Sequence, residues 1–294
     1  MKTILRHATL VLLLAATTVP AASVTLHHVH GLAYSADGAR LLVPVHIGLA
    51  VYQNGGWSQA PGPQHDYMGF AVTANTMYSS GHPASGTGLR NPFGLIRSSD
   101  EGRTWGKLGL EGESDFHLLA AGYENGAIYV YNPKPNSKMD RAGIYYTLNA
   151  GLRWHHAEAR GLSGQIAAIA VHPREAKQVA VATQRGVFVS TNSGASFAPL
   201  GTDGQALAVY FDLDGKQLWA STFAGRAALR RFSLANRQST AITMPPLTKD
   251  AVAYVAQNPK QRTEYAIATF ERSVYLSRDA AKSWKQIADR GQGR

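Results

Sequence analysis

Short apolar or alternating runs, each closed by Gly, Pro, Asn or Asp, recur along the chain from residue 30 onward. The first set runs His30-Gly-Leu-Ala-Tyr34, a turn at Ala36-Asp37-Gly38, Leu41-Leu-Val-Pro-Val45, a loop, Leu49-Ala-Val-Tyr52, an Asn54-Gly55 turn and a short run after Trp57. Side chains alternate across the faces of a strand, and Gly- or Asn-containing pairs between such runs close hairpins. The pattern therefore predicts four short antiparallel strands. A second set has the same order: Ile166 to Val171, a turn at His172-Pro173, Val179 to Ala182, Gly186 to Val189, then a turn around Asn192 and Gly194.

The repetition extends along the chain. Four eight-residue segments align without gaps: Ser98-Ser-Asp100-Glu-Gly102-Arg-Thr104-Trp105, Thr147-Leu-Asn149-Ala-Gly151-Leu-Arg-Trp154, Ser190-Thr-Asn192-Ser-Gly194-Ala-Ser196-Phe197 and Ser277-Arg-Asp279-Ala-Ala-Lys-Ser283-Trp284. Their starts lie 49, 43 and 87 residues apart, and the last interval is close to twice the second. A worn copy falls at Phe232-Ser233-Leu-Ala-Asn236, and counting back from Ser98 reaches Tyr52-Gln-Asn54-Gly55-Gly56-Trp57. Six units of four strands, with a period in the forties, predict an all-β chain folded as a six-bladed β-propeller with four-stranded antiparallel blades.

The eight-residue segment resembles the Asp-box, Ser-x-Asp-x-Gly-x-Thr-Trp, of BNR-repeat propellers. These include bacterial exported sialidase-like glycosyl hydrolases, photosystem II assembly factors and sortilin-type receptors. The segment ending at Trp105 matches in full, and the others are degenerate, with Asn for Asp or Ala281 for Gly. The resemblance implies that each box closes the hairpin between the third and fourth strands of a blade. It also implies a structural role for Asp100, Gly102, Trp105, Asn149, Asn192 and Asp279, in which the side chains tie up turn amides and the aromatic packs between blades. An Asx-type turn accounts for those residues without catalysis.

Ahead of the repeats, Lys2 and Arg6 precede an apolar run from Ala8 to Ala16, and Val19-Pro20-Ala21-Ala22 fits a signal-peptidase site. The run is too short to span a bilayer, so residues 1–22 read as a secretory signal peptide and 23–294 as a single propeller domain, periplasmic or secreted. No transmembrane segment is expected after processing. Composition agrees with this picture. With no cysteine among 294 residues, the chain cannot be a disulfide scaffold, an iron-sulfur protein or a thiol enzyme. The net charge of +10 is unevenly spread: residues 23–172 hold ten Lys+Arg and ten Asp+Glu, whereas 173–294 hold 17 and 9. The basic excess thus belongs to blades four to six, which would suit an anionic ligand or a periplasmic protein partner; nucleic acid is not expected for an exported protein.

Histidine is divided the other way. His27, His28, His30, His46, His65, His82 and His117 all precede residue 118, and none follows His172. In the repeat register the first strands of units one to three begin His28-Val-His30, Asp66-Tyr-Met68 and Asp115-Phe-His117, which makes His30, Met68 and His117 equivalent. The corresponding pairs in units four to six are Gln165/Ala167, Gln205/Leu207 and Ala251/Ala253. In a propeller the first strands line the central channel, and the loops joining second and third strands, here carrying His46 and His82, open at the same mouth. His28, His30, His46, Met68, His82 and His117 are therefore expected to converge as a metal site, with Asp66 and Asp115 as further ligands or as acceptors that orient a ring nitrogen. Imidazoles with a thioether suit copper; zinc, which rarely recruits thioether, is the alternative. His27, His65, His155, His156 and His172 are expected to be surface or loop residues.

Two other functions compete with metal handling. Arg185, Arg226 and Arg272 sit on the loops of units four to six that face the same mouth, like the arginine triad by which sialidases hold a carboxylate, although no Arg-Ile-Pro motif or Tyr/Glu nucleophile pair accompanies them. A sialidase-like hydrolase is thus one alternative and a protein-interaction scaffold of the assembly-factor kind is the other. The preferred reading is an exported, monomeric, copper-binding propeller. If it is an enzyme, it would be a copper-dependent oxidoreductase or a sialidase-like hydrolase.

Overall fold

The structure, a computed structural model, describes residues 24–294; the expected signal peptide, residues 1–22, lies outside them. Blade 1 consists of β1 (Ala33–Tyr34), β2 (Leu41–Pro44), β3 (Leu49–Gln53) and β4 (Gly56–Gln59), and blade 2 of β5 (Asp66–Val72), β6 (Met77–His82), β7 (Leu95–Ser98) and β8 (Gly106–Gly109). Blade 3 follows as β9 (Leu119–Ala121), β10 (Ile128–Asn132), β11 (Gly143–Thr147) and β12 (His155–His156), and blade 4 as β13 (Ile166–Val171), β14 (Val179–Thr183), β15 (Gly186–Ser190) and β16 (Ala198–Pro199). Blade 5 is β17 (Gln205–Phe211), β18 (Gln217–Phe223), β19 (Ala227–Ser233) and β20 (Ser239–Ala241). Blade 6 is β21 (Val252–Gln257), β22 (Tyr265–Thr269), β23 (Val274–Ser277), β24 (Lys285–Asp289) and β25 (Gln292–Gly293). Within each sheet the order is sequential and every pairing antiparallel, as the repeat predicts. Among the described residues no helix is long and apolar enough to cross a membrane.

Blade 6 departs from the four-stranded pattern. Its extra strand β25 also pairs with the start of the described chain, through a bridge from Thr25 to Gln292 and a hydrogen bond from Leu26 N to Gly291 O of 2.7 Å. The indole of Trp57 in blade 1 donates to Ile287 O of blade 6 at 2.7 Å. The two ends of the repeat array are thereby joined.

The core is divided into six apolar clusters, and each fills the seam between two neighbouring blades. This follows from the pattern: a four-stranded sheet with apolar residues on both faces can cover them only against another sheet. The aromatic that ends each box packs into the seam with the preceding blade: Trp105 between blades 1 and 2, Trp154 between 2 and 3, Phe197 between 3 and 4, Trp284 between 5 and 6.

The boxes themselves are hydrogen-bonded turns between third and fourth strands. In the first, the Ser98 hydroxyl donates to Asp100 Oδ1 (2.8 Å) and accepts from Gly102 N–H (2.8 Å), while Thr104 donates to Asp100 through its N–H (2.9 Å) and its hydroxyl (2.6 Å). Those bonds, from Thr104 above all and from Ser98, hold the Asp100 carboxyl at about 2. The substitutions make chemical sense. Only Oδ1 is needed for the turn, and Asn149 and Asn192 supply it to Arg153 N–H (2.9 Å) and Ser196 N–H (3.0 Å). The second carboxylate oxygen is kept at Asp279, where the Ser283 hydroxyl donates to it at 2.6 Å; opposite Asn192 the Ser196 hydroxyl instead accepts from the amide, at 2.9 Å.

Candidate metal centre

The site is assembled from the starts of three neighbouring blades. His30 precedes β1 but remains attached to its sheet through the bond from His30 N to Pro44 O (3.0 Å), and His46 stands in the loop from β2 to β3. Asp66 opens β5 directly opposite His82, the last residue of β6. Asp115 and His117 precede β9 and flank Phe116, which is fully buried in the seam between blades 2 and 3. Alternation along an extended segment turns the two flanking side chains away from that seam.

These residues meet in two groups. In the first, one ring nitrogen each of His28, His30 and His46 lies within 4.8 Å of the others. His30 Nε2 is 3.4 Å from His46 Nδ1, and the Asp66 carboxylate closes the group, at 2.9 Å from His46 Nδ1 and 3.5 Å from His30 Nε2. In the second, Asp115 Oδ2 lies 3.1 Å from His82 Nε2 and 2.6 Å from His117 Nε2. His82 is aimed by Asn91, whose Oδ1 is 2.7 Å from its other ring nitrogen, an arrangement typical of imidazoles oriented for a metal. Bonds of about 2 Å to a tetrahedral ion put neighbouring donors about 3.3 Å apart, close to the spacings found here.

One feature of each carboxylate tests whether these residues fit an ion. Asp66 Oδ1 and Asp115 Oδ1 are both buried and have no hydrogen-bond donor, although the other oxygen of each is engaged. A buried carboxylate oxygen without a partner is costly, and a cation would satisfy it. The imidazoles point the same way. Burial pushes the His30 ring down to about 4, outweighing the opposite pull of Asp66, and His46, His28 and His117 add to the depression. His30 is therefore a neutral ring with a free lone pair at physiological pH. His117 moves upward, held chiefly by its hydrogen bond to Asp115.

Both groups stand at one end of the central channel. The first strands of all six blades surround a cavity of about 290 Å³, walled by apolar side chains such as Leu32, Phe70, Leu118, Ile169, Val209 and Tyr254, with His30 and His117 also on its wall. Ala167, Leu207 and Ala253, equivalent to His30 and His117 in the repeat, reach the same cavity. The polar cluster is one-sided, as the register predicts.

The remaining sequence candidates divide. Met68 is half-buried at the point where the β5–β6 register slips, so it is the extra residue of a β-bulge, on the first-strand position it shares with His30 and His117. Asp66 and Asp115, expected as ligands or orienting acceptors, lie inside the groups. Arg185 and Arg226 are exposed, whereas the Arg272 guanidinium donates to His27 O (3.1 Å) and ties the start of the described chain to blade 6. Of the histidines expected as surface or loop residues, His65 and His172 lie in loops but are buried, and His155 and His156 form β12. His65 accepts from Ala84 N–H (2.9 Å) and packs on Tyr67 and Phe93; His172 accepts from Glu175 N–H (2.9 Å), with its Nε2 3.0 Å from Gly215 O. Each caps a turn that the sequence pattern does not distinguish from solvated loop. Asn91 was not legible either, because its role depends on how the loop from β6 to β7 returns.

Ser80 holds the second group in place. Its buried hydroxyl donates to Gly94 O (2.7 Å) and accepts from Phe116 N–H (2.9 Å), between Asp115 and His117. Ser80→Ala strands both partners and is expected to cost about 2 kcal/mol in chemical denaturation; an unchanged midpoint would show that the link contributes nothing.

No family model and no curated protein matches the chain. Among solved structures it is similar to a GH74 enzyme from Niastella koreensis, with a TM-score of 0.61 and 15% identity over 90% of this chain and 46% of that one. It is also similar to an ancestral GH74 enzyme (TM-score 0.56, 13% identity, 93% of this chain and 40% of the other) and to YCF48 bound to a D1 peptide (TM-score 0.52, 15% identity, 92% and 85%). The chain spans less than half the length of the two GH74 chains. At these identities the likeness shows the propeller fold alone.

Proposed function

We propose that this chain is an exported metal-binding propeller that holds copper at one mouth of its channel, for sequestration or delivery. The observation that carries the proposal is the meeting of five imidazoles and two carboxylates from three blades, with one buried oxygen of each carboxylate lacking a donor. Copper is favoured over zinc by the imidazole-rich donor set and by Met68, a thioether on the same first-strand position as His30 and His117. Bound copper would supply Lewis-acid and one-electron chemistry. The chain's own residues would hold the ion, with neutral His30 donating without first losing a proton and Asn91 fixing the ring of His82. Export rests on the leader-like residues 1–22.

Tag-free protein should retain copper after loading and dialysis against a weak competitor such as glycine, and a His30→Ala/His117→Ala variant should retain at least tenfold less. Equal, low retention by both would overturn the proposal, and selective retention of zinc would change the metal. A second reading is supported by YCF48, of which 85% aligns and which is bound to a peptide. Exposed Ile47, Phe223 and Phe270 lie on or beside the loops joining second and third strands, and such a surface suits a polypeptide partner. Pull-down of a periplasmic protein by wild type and by the metal-free double variant alike would favour this scaffold role.

A further inference from the structure

We propose that the mouth is built for two ions in chemically different sites: a three-imidazole site of His28, His30 and His46, closed by Asp66, and a two-imidazole, one-carboxylate site of His82, His117 and Asp115. This rests on the metal-binding reading and divides it. The donors form two separate sets, each with its own ring nitrogens or carboxylate oxygen within 4.8 Å of one another, rather than one set of six. An ion with bonds of about 2 Å cannot have donors more than about 4 Å apart. A single ion therefore could not take all six donors, and within each set the separations between His30 and His46 (3.4 Å) and from Asp115 to His82 and His117 (3.1 and 2.6 Å) suit one ion.

Each set carries its own carboxylate, and the two carboxylates share a pattern. One oxygen faces the imidazoles: Asp66 Oδ2 is 2.9 Å from His46 Nδ1, and Asp115 Oδ2 is 2.6 Å from His117 Nε2. The other oxygen of each is buried and has no hydrogen bond, although Asp66 Oδ1 lies 3.5 Å from His30 Nε2. A site built for one ion accounts for one such oxygen. Two acids, at equivalent positions two residues before Met68 and His117, account for two cations, each given one negative charge that lessens their mutual repulsion.

The donor sets differ in kind. Three neutral imidazoles suit copper, whereas two imidazoles with one carboxylate and open positions form the arrangement that accepts ferrous iron, zinc or other borderline divalent ions. The first site takes His46 from the loop between β2 and β3 and His28 from the segment ahead of β1. The second is braced, with His82 aimed by Asn91 and the Asp115–His117 segment pinned by Phe116 and Ser80. The first site therefore fits an ion that is exchanged and the second an ion that stays.

Metal counting on tag-free protein loaded with copper(II), with zinc, and with both separates the outcomes. Wild type should hold two ions per chain, His46→Ala should lose one and keep the other, and Asp115→Asn should do the same. In the mixed loading, His46→Ala should lose copper and Asp115→Asn should lose zinc. Copper(II) resonance spectra should show three-nitrogen coupling in Asp115→Asn and no such signal in His46→Ala. Thermal unfolding establishes that each variant folds, and His82→Ala, at a half-exposed position, replaces Asp115→Asn should that variant not fold. One ion per chain in wild type, or loss of all metal from either single variant, would overturn the two-site proposal while leaving metal binding intact. No retained metal in wild type would remove both.

Discussion

Gly69→Ala should destabilise the propeller by at least about 3 kcal/mol and lower its thermal midpoint by roughly 10 °C. Gly69 follows Met68 on β5, where blade 2 packs tightly against blade 3. A Cβ built there would lie 2.0 Å from Phe116 O and 2.9 Å from the Leu119 Cβ. The obstacle is a backbone carbonyl rather than a flexible side-chain end, so only a shift of one blade against the other could relieve it. The glycine's backbone is unexceptional, and alanine is not otherwise disfavoured there. Gly56→Ala provides the control: on the outer strand of blade 1 the added carbon meets nothing nearer than Gln53 O, at 3.9 Å, and should change the midpoint little. If Gly69→Ala unfolds like Gly56→Ala, the seam between blades 2 and 3 is looser than the distances say. The displacement would also move Phe116, and with it Asp115 and His117, so metal retention by any Gly69→Ala protein that folds should fall.

Blade number and the third-to-fourth-strand boxes were legible in the sequence because they are local and repeated. A turn such as Ser98–Trp105 carries its own hydrogen-bonding instructions, and six units of similar length admit few other arrangements. The convergence of His30, His46, His82 and His117 was legible for a related reason, since the repeat converts separation in sequence into neighbourhood around an axis. The division into two groups was not, because it depends on which side of the bulge at Met68 each chain enters and on rotamers that no repeat fixes. The bulge itself recurs in blades 4, 5 and 6, at Ala167, Leu207 and Ala253, the positions equivalent to His30, Met68 and His117. A register slip leaves no compositional trace here, since its extra residue is alanine twice, leucine once and methionine once. The loop positions of His65 and His172 were legible but their burial was not: their turns bury an imidazole as a hydrogen-bond acceptor, and the surrounding Gln64, Pro173 and Arg174 give a polar pattern that reads as solvent-facing.

The opposite half of the ring presents a charge problem of its own, and its solution predicts a variant more stable than the natural chain. Asp212 follows β17 and is buried in the seam between blades 5 and 6, where its Oδ1 accepts from the Trp219 indole (2.6 Å) and the Tyr265 hydroxyl (3.2 Å). Burial pushes its carboxyl up to about 6, against the pull of those two donors and of the Arg231 guanidinium. An acid near 3.8 when unfolded and near 6 when folded binds its proton more tightly in the folded state. Stability must then fall as pH rises through that window, and the full penalty, about 3 kcal/mol at 1.36 kcal/mol per unit, is present above it. Asp212→Asn keeps an Oδ1 acceptor for both donors and carries no charge at any pH. We expect it to raise the thermal midpoint at pH 7.5 by about 5 °C, less than the full penalty implies because the new amide hydrogens need partners in the seam. The gain should shrink steadily toward pH 4, where aspartic acid is neutral in the folded protein as well. A gain of equal size at pH 4 and pH 7.5 would show that the benefit is one of packing, and a loss at both would show that the Asp212 carboxylate is better solvated in the seam than its burial implies.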